Sequence, residues 1–189
     1  MLYTRKGDNG TTKLFDCPQG KRLSKNAAVF EALGTLDELN CSLGFAIVLA
    51  KRSRDTLNLS GQKTFYAAIL ERLQNTLFAI QAELGGADIH PSNADVNFAE
   101  FVVAEVETVL PPVTSFVVPG GGETGAYLDV CRTIARRAER SVIEALEKDG
   151  RSVSEATLKF LNRLSSVLYA LARFANYQEG FSERPPRYG

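Results

Sequence analysis

Apolar residues recur at intervals of three and four along most of this chain, and that spacing constrains its fold more than any other feature. The pattern predicts five helices, over 29–50, 66–84, 95–110, 127–146 and 157–176. No stretch alternates apolar and polar residues over enough positions to indicate a sheet. Because helices joined by short loops pack as antiparallel bundles, we predict an all-α protein with a five-helix bundle.

The other segments lead into, connect or follow these helices, and we expect a single domain over 1–189. Residues 1–24 are rich in Gly, Asp, Asn, Thr and Lys, which predicts a structured loop before the bundle of residues 25–178. Residues 52–64 read as a polar connection. The tail, 179–189, is too rich in proline and charge to continue a helix.

Composition and short patterns exclude several classes of protein. The 22 Lys+Arg residues balance 22 Asp+Glu residues, so we expect no nucleic-acid partner. The longest apolar run, 45–50, is far below the roughly 20 residues that span a bilayer, so we expect no membrane insertion. The N-terminus lacks the apolar core of a signal peptide, which indicates a cytoplasmic protein. Cys17, Cys41 and Cys131 lack metal-binding spacing and read as reduced thiols, and a single histidine, His90, excludes a His-rich metal site.

Residues 3–12, YTRKGDNGTT, have the composition of an anion-binding loop. Gly7 and Gly10 permit turns that direct successive N–H groups toward one point. Hydroxyl and ammonium groups are offered by Thr4, Lys6, Thr11 and Thr12. The Walker pattern is absent, so an ordinary turn before the first helix explains these residues equally well. Lys21, Arg22 and Lys25 either extend the positive charge or form a solvated face.

The predicted fourth helix carries four arginines within nine residues. At 100° per residue, Arg132 and Glu139 project about 80 to 100° from the centre of its apolar stripe, which places both at a seam with a neighbouring element. Arg136 projects about 140° away. A guanidinium group suits bidentate recognition of phosphate or carboxylate. For Arg137 and Arg140, a solvated charged face is the simpler interpretation.

Two other predicted helices also carry polar groups beside their apolar stripes. Asp37 projects about 100° from the stripe of the first helix, while Asn40 falls on the core side, where a buried carboxamide needs partners. A polar flank on the last helix consists of Asn162, Ser166, Tyr169, Arg173 and Asn176. Polar seams of this kind are hard to satisfy in a monomer and indicate a neighbouring subunit.

The segment 116–125, FVVPGGGETG, is a loop, because proline followed by three glycines forms neither a helix nor an ordinary strand. It holds Phe116 and Val117 just ahead of the arginine-bearing helix. Such a loop either closes on a flat apolar ligand or simply connects two helices.

Taken together and in this order, these segments resemble the PduO-type ATP:cob(I)alamin adenosyltransferases over nearly the whole chain. The segments that carry the resemblance are TRKGDNGTT, RLSKN, EALGTLDELNCSLG, FVVPGGG, CRTIARRAER and FLNRLSSVLYALARFAN. The resemblance implies a ferritin-like five-helix bundle assembled as a homotrimer, with ATP and corrinoid at the subunit interfaces. It also implies transfer of the 5′-deoxyadenosyl group of ATP to cob(I)alamin, with Mg²⁺ as cofactor, a flavoprotein corrinoid reductase as partner and an adenosylcobalamin-dependent enzyme as recipient.

The resemblance also implies roles for individual residues. Arg132, Asp37 and Phe116 are expected to be catalytic, with Arg132 and Asp37 paired across a subunit seam. Phe116 and Val117 are expected to bind corrinoid, Phe116 by filling its lower axial face. The residues expected to bind ATP are Thr4, Arg5, Lys6, Gly7, Gly10, Thr11, Thr12, Lys25, Arg132, Arg136, Glu139 and Asn162.

Four positions depart from the family pattern, namely Asp129, Cys131, Ser166 and Tyr169, and they bear on fine contacts and corrinoid preference. Two other classes stay open. One is an ATP- and corrinoid-binding chaperone or regulatory trimer without turnover. The other is a structural helical oligomer or a carboxylate-metal bundle, although the Glu-x-x-His pairs of the latter are absent.

Overall fold

A computed structural model describes residues 3–188, and five helices dominate it. The helices are α1 Ala28–Ser53, α2 Tyr66–Leu84, α3 Asn93–Glu107, α4 Glu123–Asp149 and α5 Glu155–Gln178. Each predicted helix is present, and the all-α prediction is confirmed. The predicted bounds of α2 match the observed ones, whereas α4 begins four residues earlier and ends three residues later than its apolar stripe indicates.

The apolar stripes of the helices form one core. α1 packs against α2 and α4, and α5 packs against α3 and α4. The seven residues of the α4 stripe that are buried are Leu128, Cys131, Ile134, Ala135, Ala138, Val142 and Ala145. Arg132 and Glu139 are half-buried beside this stripe, as the helical projection predicts, while Arg136 and Arg140 are exposed.

Three contacts fix the register of α1 against α4, and they show that the two helices run antiparallel. The Val29 N–H donates to Asp149 Oδ2 at 2.7 Å near one end. In the middle, Arg137 Nη2 lies 2.6 Å from Glu38 Oε2. Toward the other end, the rings of Phe45 and Tyr127 meet edge to face with centroids 4.8 Å apart.

Two short antiparallel pairs of strands correct the prediction that no sheet is present. β1 Thr11–Thr12 pairs with β2 Leu23–Ser24, and β3 Thr56–Leu59 pairs with β4 Gln62–Phe65. The predicted polar connection 52–64 therefore contains most of a hairpin. Its turn residues, Ser60 and Gly61, have φ angles of 49° and 84°, the left-handed geometry of a tight hairpin turn. Four-residue strands are too short to give a clear period of two.

α1 is long and apolar enough, by length and composition, to cross a membrane, and it is the single such helix among residues 3–188. Half of its most apolar window is nevertheless buried inside the bundle. Its apolar stripe packs against α2 and α4, so within this fold α1 forms part of the protein core.

Candidate functional site

A cavity of about 440 Å³, here called the loop cavity, lies between the loop that joins α3 to α4, the N-terminal half of α4, the C-terminal half of α5 and the C-terminal tail. Its wall includes apolar side chains and glycine backbone of the loop together with charged side chains. The main lining residues are Val117 to Gly121, Asp129, Arg132, Tyr169, Arg173, Asn176 and Phe181 to Arg184. Among the predicted site residues, the structure thus places Val117 and Arg132 on the wall of one cavity.

Asn176 near the end of α5 holds the glycine-rich loop in place. Its Nδ2 donates to Gly120 O, and its Oδ1 accepts the Gly122 N–H, both at 3.0 Å. Gly121 has a φ angle of 135°, and a Cβ atom there would overlap the Asn176 carboxamide. Only glycine fits this position. The anchored loop leaves Phe116 82% exposed, so its ring takes no part in the core.

Arg132 reaches the loop cavity from α4. Its Nε donates to Asp129 Oδ1 at 3.0 Å, and its guanidinium carbon lies 5.7 Å from the centre of the Tyr169 ring. Asp129 is only 8% exposed. Burial raises the pKa of the Tyr169 hydroxyl, which therefore stays protonated at neutral pH. The sequence marks Asp129 only as a departure from a pattern, although its i, i+3 spacing from Arg132 is an ordinary signal of a helical ion pair.

The tail closes the other side of the loop cavity, and no sequence pattern indicated this. Arg173 forms an ion pair with Glu183, and the hydrogen bond that the guanidinium donates to this carboxylate raises the pKa of Arg173. The Val118 N–H donates to Arg184 O at 2.9 Å, which ties the loop to the tail. These contacts depend on the tertiary fold, because the tail has neither periodicity nor a motif.

A smaller cavity of about 200 Å³, here called the groove cavity, lies between α4 and α5. It is lined by Arg132, Arg136, Ser165, Ser166 and Tyr169. One turn beyond it, Asn162 Nδ2 donates to Glu139 Oε1 at 3.0 Å. Two predicted ATP-binding residues, Arg132 and Arg136, therefore line the groove cavity, and two more, Glu139 and Asn162, contact each other one turn beyond it. Arg132 and Tyr169 line both cavities.

The N-terminal loop does not line either of these two cavities. Lys25 holds it, because its Nζ donates to Gly7 O at 3.0 Å and its N–H donates to Gly10 O at 2.9 Å. Arg22 Nη2 donates to Thr11 O at 2.8 Å. The side of the loop that includes Thr4, Arg5 and Lys6 is exposed, while Thr12 lies in β1.

Within the described part of the chain, no hydrogen bond or ion pair joins the N-terminal loop to the arginines of α4. Asp37 is also apart from Arg132. The register of α1 and α4 places Asp37 level with about residue 138, roughly 9 Å along the axis from Arg132. Asp37 is exposed and forms no ion pair within residues 3–188.

Asn40 lies in the core, as predicted, and is 3% exposed. Neither polar atom of its side chain has a hydrogen-bond partner among the described residues. Over the same residues there is no group of three or more His, Cys, Asp or Glu side chains that would hold a metal ion.

Comparisons with known proteins agree with this arrangement. Residues 2–175 match the family model described as cobalamin adenosyltransferase. The chain is 34% identical to the corrinoid adenosyltransferase MMAB of Homo sapiens, over 97% of this chain and 72% of that protein. It is 37% identical to the corrinoid adenosyltransferase PduO of Citrobacter freundii, over 91% of this chain, and spans 49% of that protein's length.

Solved structures of a PduO-type adenosyltransferase from Lactobacillus reuteri share the fold. A variant in which one arginine is replaced by lysine, complexed with ATP, superposes with a TM-score of 0.83 at 29% identity, over 98% of this chain and all of that one. A variant in which one phenylalanine is replaced by histidine, complexed with cobalamin and ATP, gives 0.84 at 27% identity, over 99% and 97% of the two chains. On the strength of its family match, its relatives and its five-helix fold, the chain belongs to the cobalamin adenosyltransferase family.

Proposed function

We propose that this chain, acting as a single domain over residues 1–189, transfers the 5′-deoxyadenosyl group of ATP to the cobalt of cob(I)alamin. The observation that carries the proposal is the pair of cavities that meet at Arg132 and Tyr169. A reaction that joins two large substrates needs two adjoining sites. The loop cavity, with its glycine-rich loop, suits the corrinoid, and the groove cavity, with its arginines and serines, suits the nucleotide.

In this reaction the electron pair of Co(I) attacks C5′ of ATP. A cobalt–carbon bond forms, the bond between C5′ and the triphosphate oxygen breaks, and triphosphate leaves with the negative charge. Fixed cations close to that leaving group lower the barrier. We assign this role to Lys25, Arg136 and the N-terminal loop, and we assign the orientation of ATP to Arg132. Magnesium enters with the nucleotide, since Mg²⁺ is commonly bound through substrate phosphates and water.

The site we propose is completed by a second copy of the chain in a homotrimer. One exposed stripe of α1, at helical spacing, contains Gly34, Asp37, Cys41, Phe45 and Val48. Two of its members are large apolar side chains, about half exposed, which a neighbouring subunit would cover. The same contact brings Asp37 to Arg132 of the next subunit, and the N-terminal loop to the next groove cavity. In the trimer, Asp37 and Arg132 thus gain ionic partners that they do not have within one chain.

Phe116 is proposed to act on the corrinoid. A large exposed ring on an anchored loop is suited to fill the lower axial face of the cobalt and to exclude both water and the axial base. The substrate for this step is the Co(II) form, and a separate flavoprotein reductase supplies the electron that yields Co(I). We propose that the protein works in the cytoplasm, which its three free cysteines support, and delivers adenosylcobalamin to an enzyme that depends on it.

The test combines purified protein with ATP, Mg²⁺ and chemically reduced cobalamin, and follows the visible spectrum together with triphosphate release. We expect the spectrum of adenosylcobalamin and one triphosphate for each product formed. Binding of both ligands without triphosphate release would instead identify a chaperone or regulatory trimer. The mass in solution, measured by light scattering, tests the trimer, and a monomer that is fully active would contradict the shared site.

A further inference from the structure

Asp129 and Arg132 form an ion pair on one face of α4, at the point where the loop cavity meets the groove cavity. We propose that Asp129 is a positioning residue that holds the Arg132 guanidinium at this junction. The proposal rests on the function proposed above and adds a residue to which that function gave no role. Asp129 acts through Arg132 and does not itself contact the reacting atoms.

Because both side chains are partly removed from water, each needs the other to compensate its charge. The side chain of Asp129 is 11% exposed and that of Arg132 is 24% exposed. A carboxylate this deeply buried is stable when it is paired and hydrogen-bonded, and Arg132 provides both interactions. Within the described residues, Asp129 forms an ion pair with no other cation.

The geometry of the bond selects one edge of the guanidinium. Asp129 accepts from Nε, and the two Nη groups make no hydrogen bond to the described part of the chain. The Tyr169 ring lies 5.7 Å from the guanidinium carbon and occupies one side of the group. Arg132 is thereby held in place with four N–H donors unused.

Those donors give Asp129 and Asp37 different tasks. Asp129 lies three residues before Arg132 on the same helix, so this pair forms within one chain and without assembly. The proposed function pairs Asp37 with Arg132 of the neighbouring subunit, and the two Nη groups are the donors that remain for this contact. Asp129 therefore orients the arginine within its own subunit, while Asp37 binds it across the interface.

The experiment is a double-mutant cycle with Asp129→Ala, Arg132→Ala and the double variant, assayed for kcat and for KM of ATP, with the affinity for MgATP measured by calorimetry. We expect Asp129→Ala to lower kcat/KM for ATP by at least about tenfold, because displacing a substrate-positioning group by 1 Å has a large effect on rate. In the Arg132→Ala background the same change should have almost no further effect. Asp129→Asn, which keeps an oxygen acceptor for Nε, should retain more activity than Asp129→Ala.

A matched control is Glu144→Ala, which removes the acidic partner of Lys148 farther along α4 and should leave the kinetics unchanged. Normal kinetics in Asp129→Ala, or losses that add in the double variant, would overturn the proposal. If Asp129→Ala does not fold, as judged by melting temperature, Asp129→Leu, which removes the acceptor but still fills the side-chain space, takes its place in the cycle with the same criteria. An inactive wild type refutes the proposed function instead, and the calorimetric cycle for MgATP then decides the role of Asp129.

Discussion

The two halves of α4 differ in how their charged residues are partnered, four of them in 123–136 and seven in 137–149. In the C-terminal half, Arg137 pairs with Glu38 of α1, and Lys148 pairs with Glu144. Asp149 accepts the N–H of Val29 at the start of α1. These charges have partners inside the chain, while Arg140 and Glu147 of the same half are exposed to solvent.

In the N-terminal half, two arginines have hydrogen-bond donors without partners among the described residues. Arg132 forms one hydrogen bond to Asp129, and Arg136 forms no ion pair with the described residues. Both halves pack against α1, and the N-terminal half also borders two cavities. A charge with a partner in its own chain contributes to the fold, while a half-buried charge with unused donors is available to a ligand or a second subunit.

The largest effect is expected from Arg132→Ala, in the open half of α4. It should lower kcat/KM for ATP by roughly 100-fold to 1,000-fold, since it removes fixed positive charge beside the nucleotide. Lys148→Ala in the satisfied half is the control and should leave the kinetics unchanged. Steady-state kinetics of both variants checks this, and near-normal turnover with an unchanged KM in Arg132→Ala would contradict the assigned role.

Two phenylalanines differ in burial as the two halves of α4 differ in the pairing of their charges. Phe160 is fully buried, and Phe160→Ala should lower the free energy of unfolding by about 3 to 5 kcal/mol. Phe116→Ala should melt almost as the wild type does, because the Phe116 ring is exposed.

The activity of Phe116→Ala should fall most when cobalamin is supplied as Co(II), since the ring is proposed to act before the nucleophile exists. Assays that start from Co(II) or from chemically prepared Co(I) separate the two steps. An equal loss in both assays, or a collapse of the melting temperature, would assign Phe116 to packing.

A ligand-dependent change is expected in the N-terminal loop. Residues 7–12 are held by a few exposed hydrogen bonds, so their backbone amides should exchange rapidly in the absence of nucleotide. Saturating MgATP should slow this exchange by at least about tenfold, because bound phosphate orders the loop. Mass-spectrometric hydrogen exchange measures it, with the amides of buried α5 as an internal reference. Equal rates with and without MgATP would remove this loop from the site.

The smallest effect concerns the buried thiol of Cys131 in α4. Burial raises the pKa of Cys131 to about 12. At about pH 8 the group is therefore a neutral thiol, and only the thiolate reacts with alkylating reagents. Cys131 should stay unlabelled in the native protein and become labelled after unfolding, as peptide mapping would show. Rapid native labelling would mean that α4 opens around this position.

Much of the fold followed from periodicity. The apolar stripe of α4 identifies which of its residues are buried, because a helix repeats every 3.6 residues whatever surrounds it. The same rule places Arg132 and Glu139 at the edge of that stripe, where both are half-buried. The periodicity does not predict the hairpin at 56–65, although Ser60-Gly61, which follows the alternating apolar residues Leu57 and Leu59, is a turn signal.

The sequence by itself determined the five helices, their buried faces and the motifs that identify the family, because these depend on local periodicity and on residue type. Only the tertiary structure decided that Asp129 holds Arg132, that the tail residue Glu183 closes on Arg173, and that Arg132 and Tyr169 separate two cavities. Each of these depends on the distance between side chains whose positions are set by how the helices and tail pack. A pattern along one chain records the direction in which a side chain projects, and packing determines what it meets there.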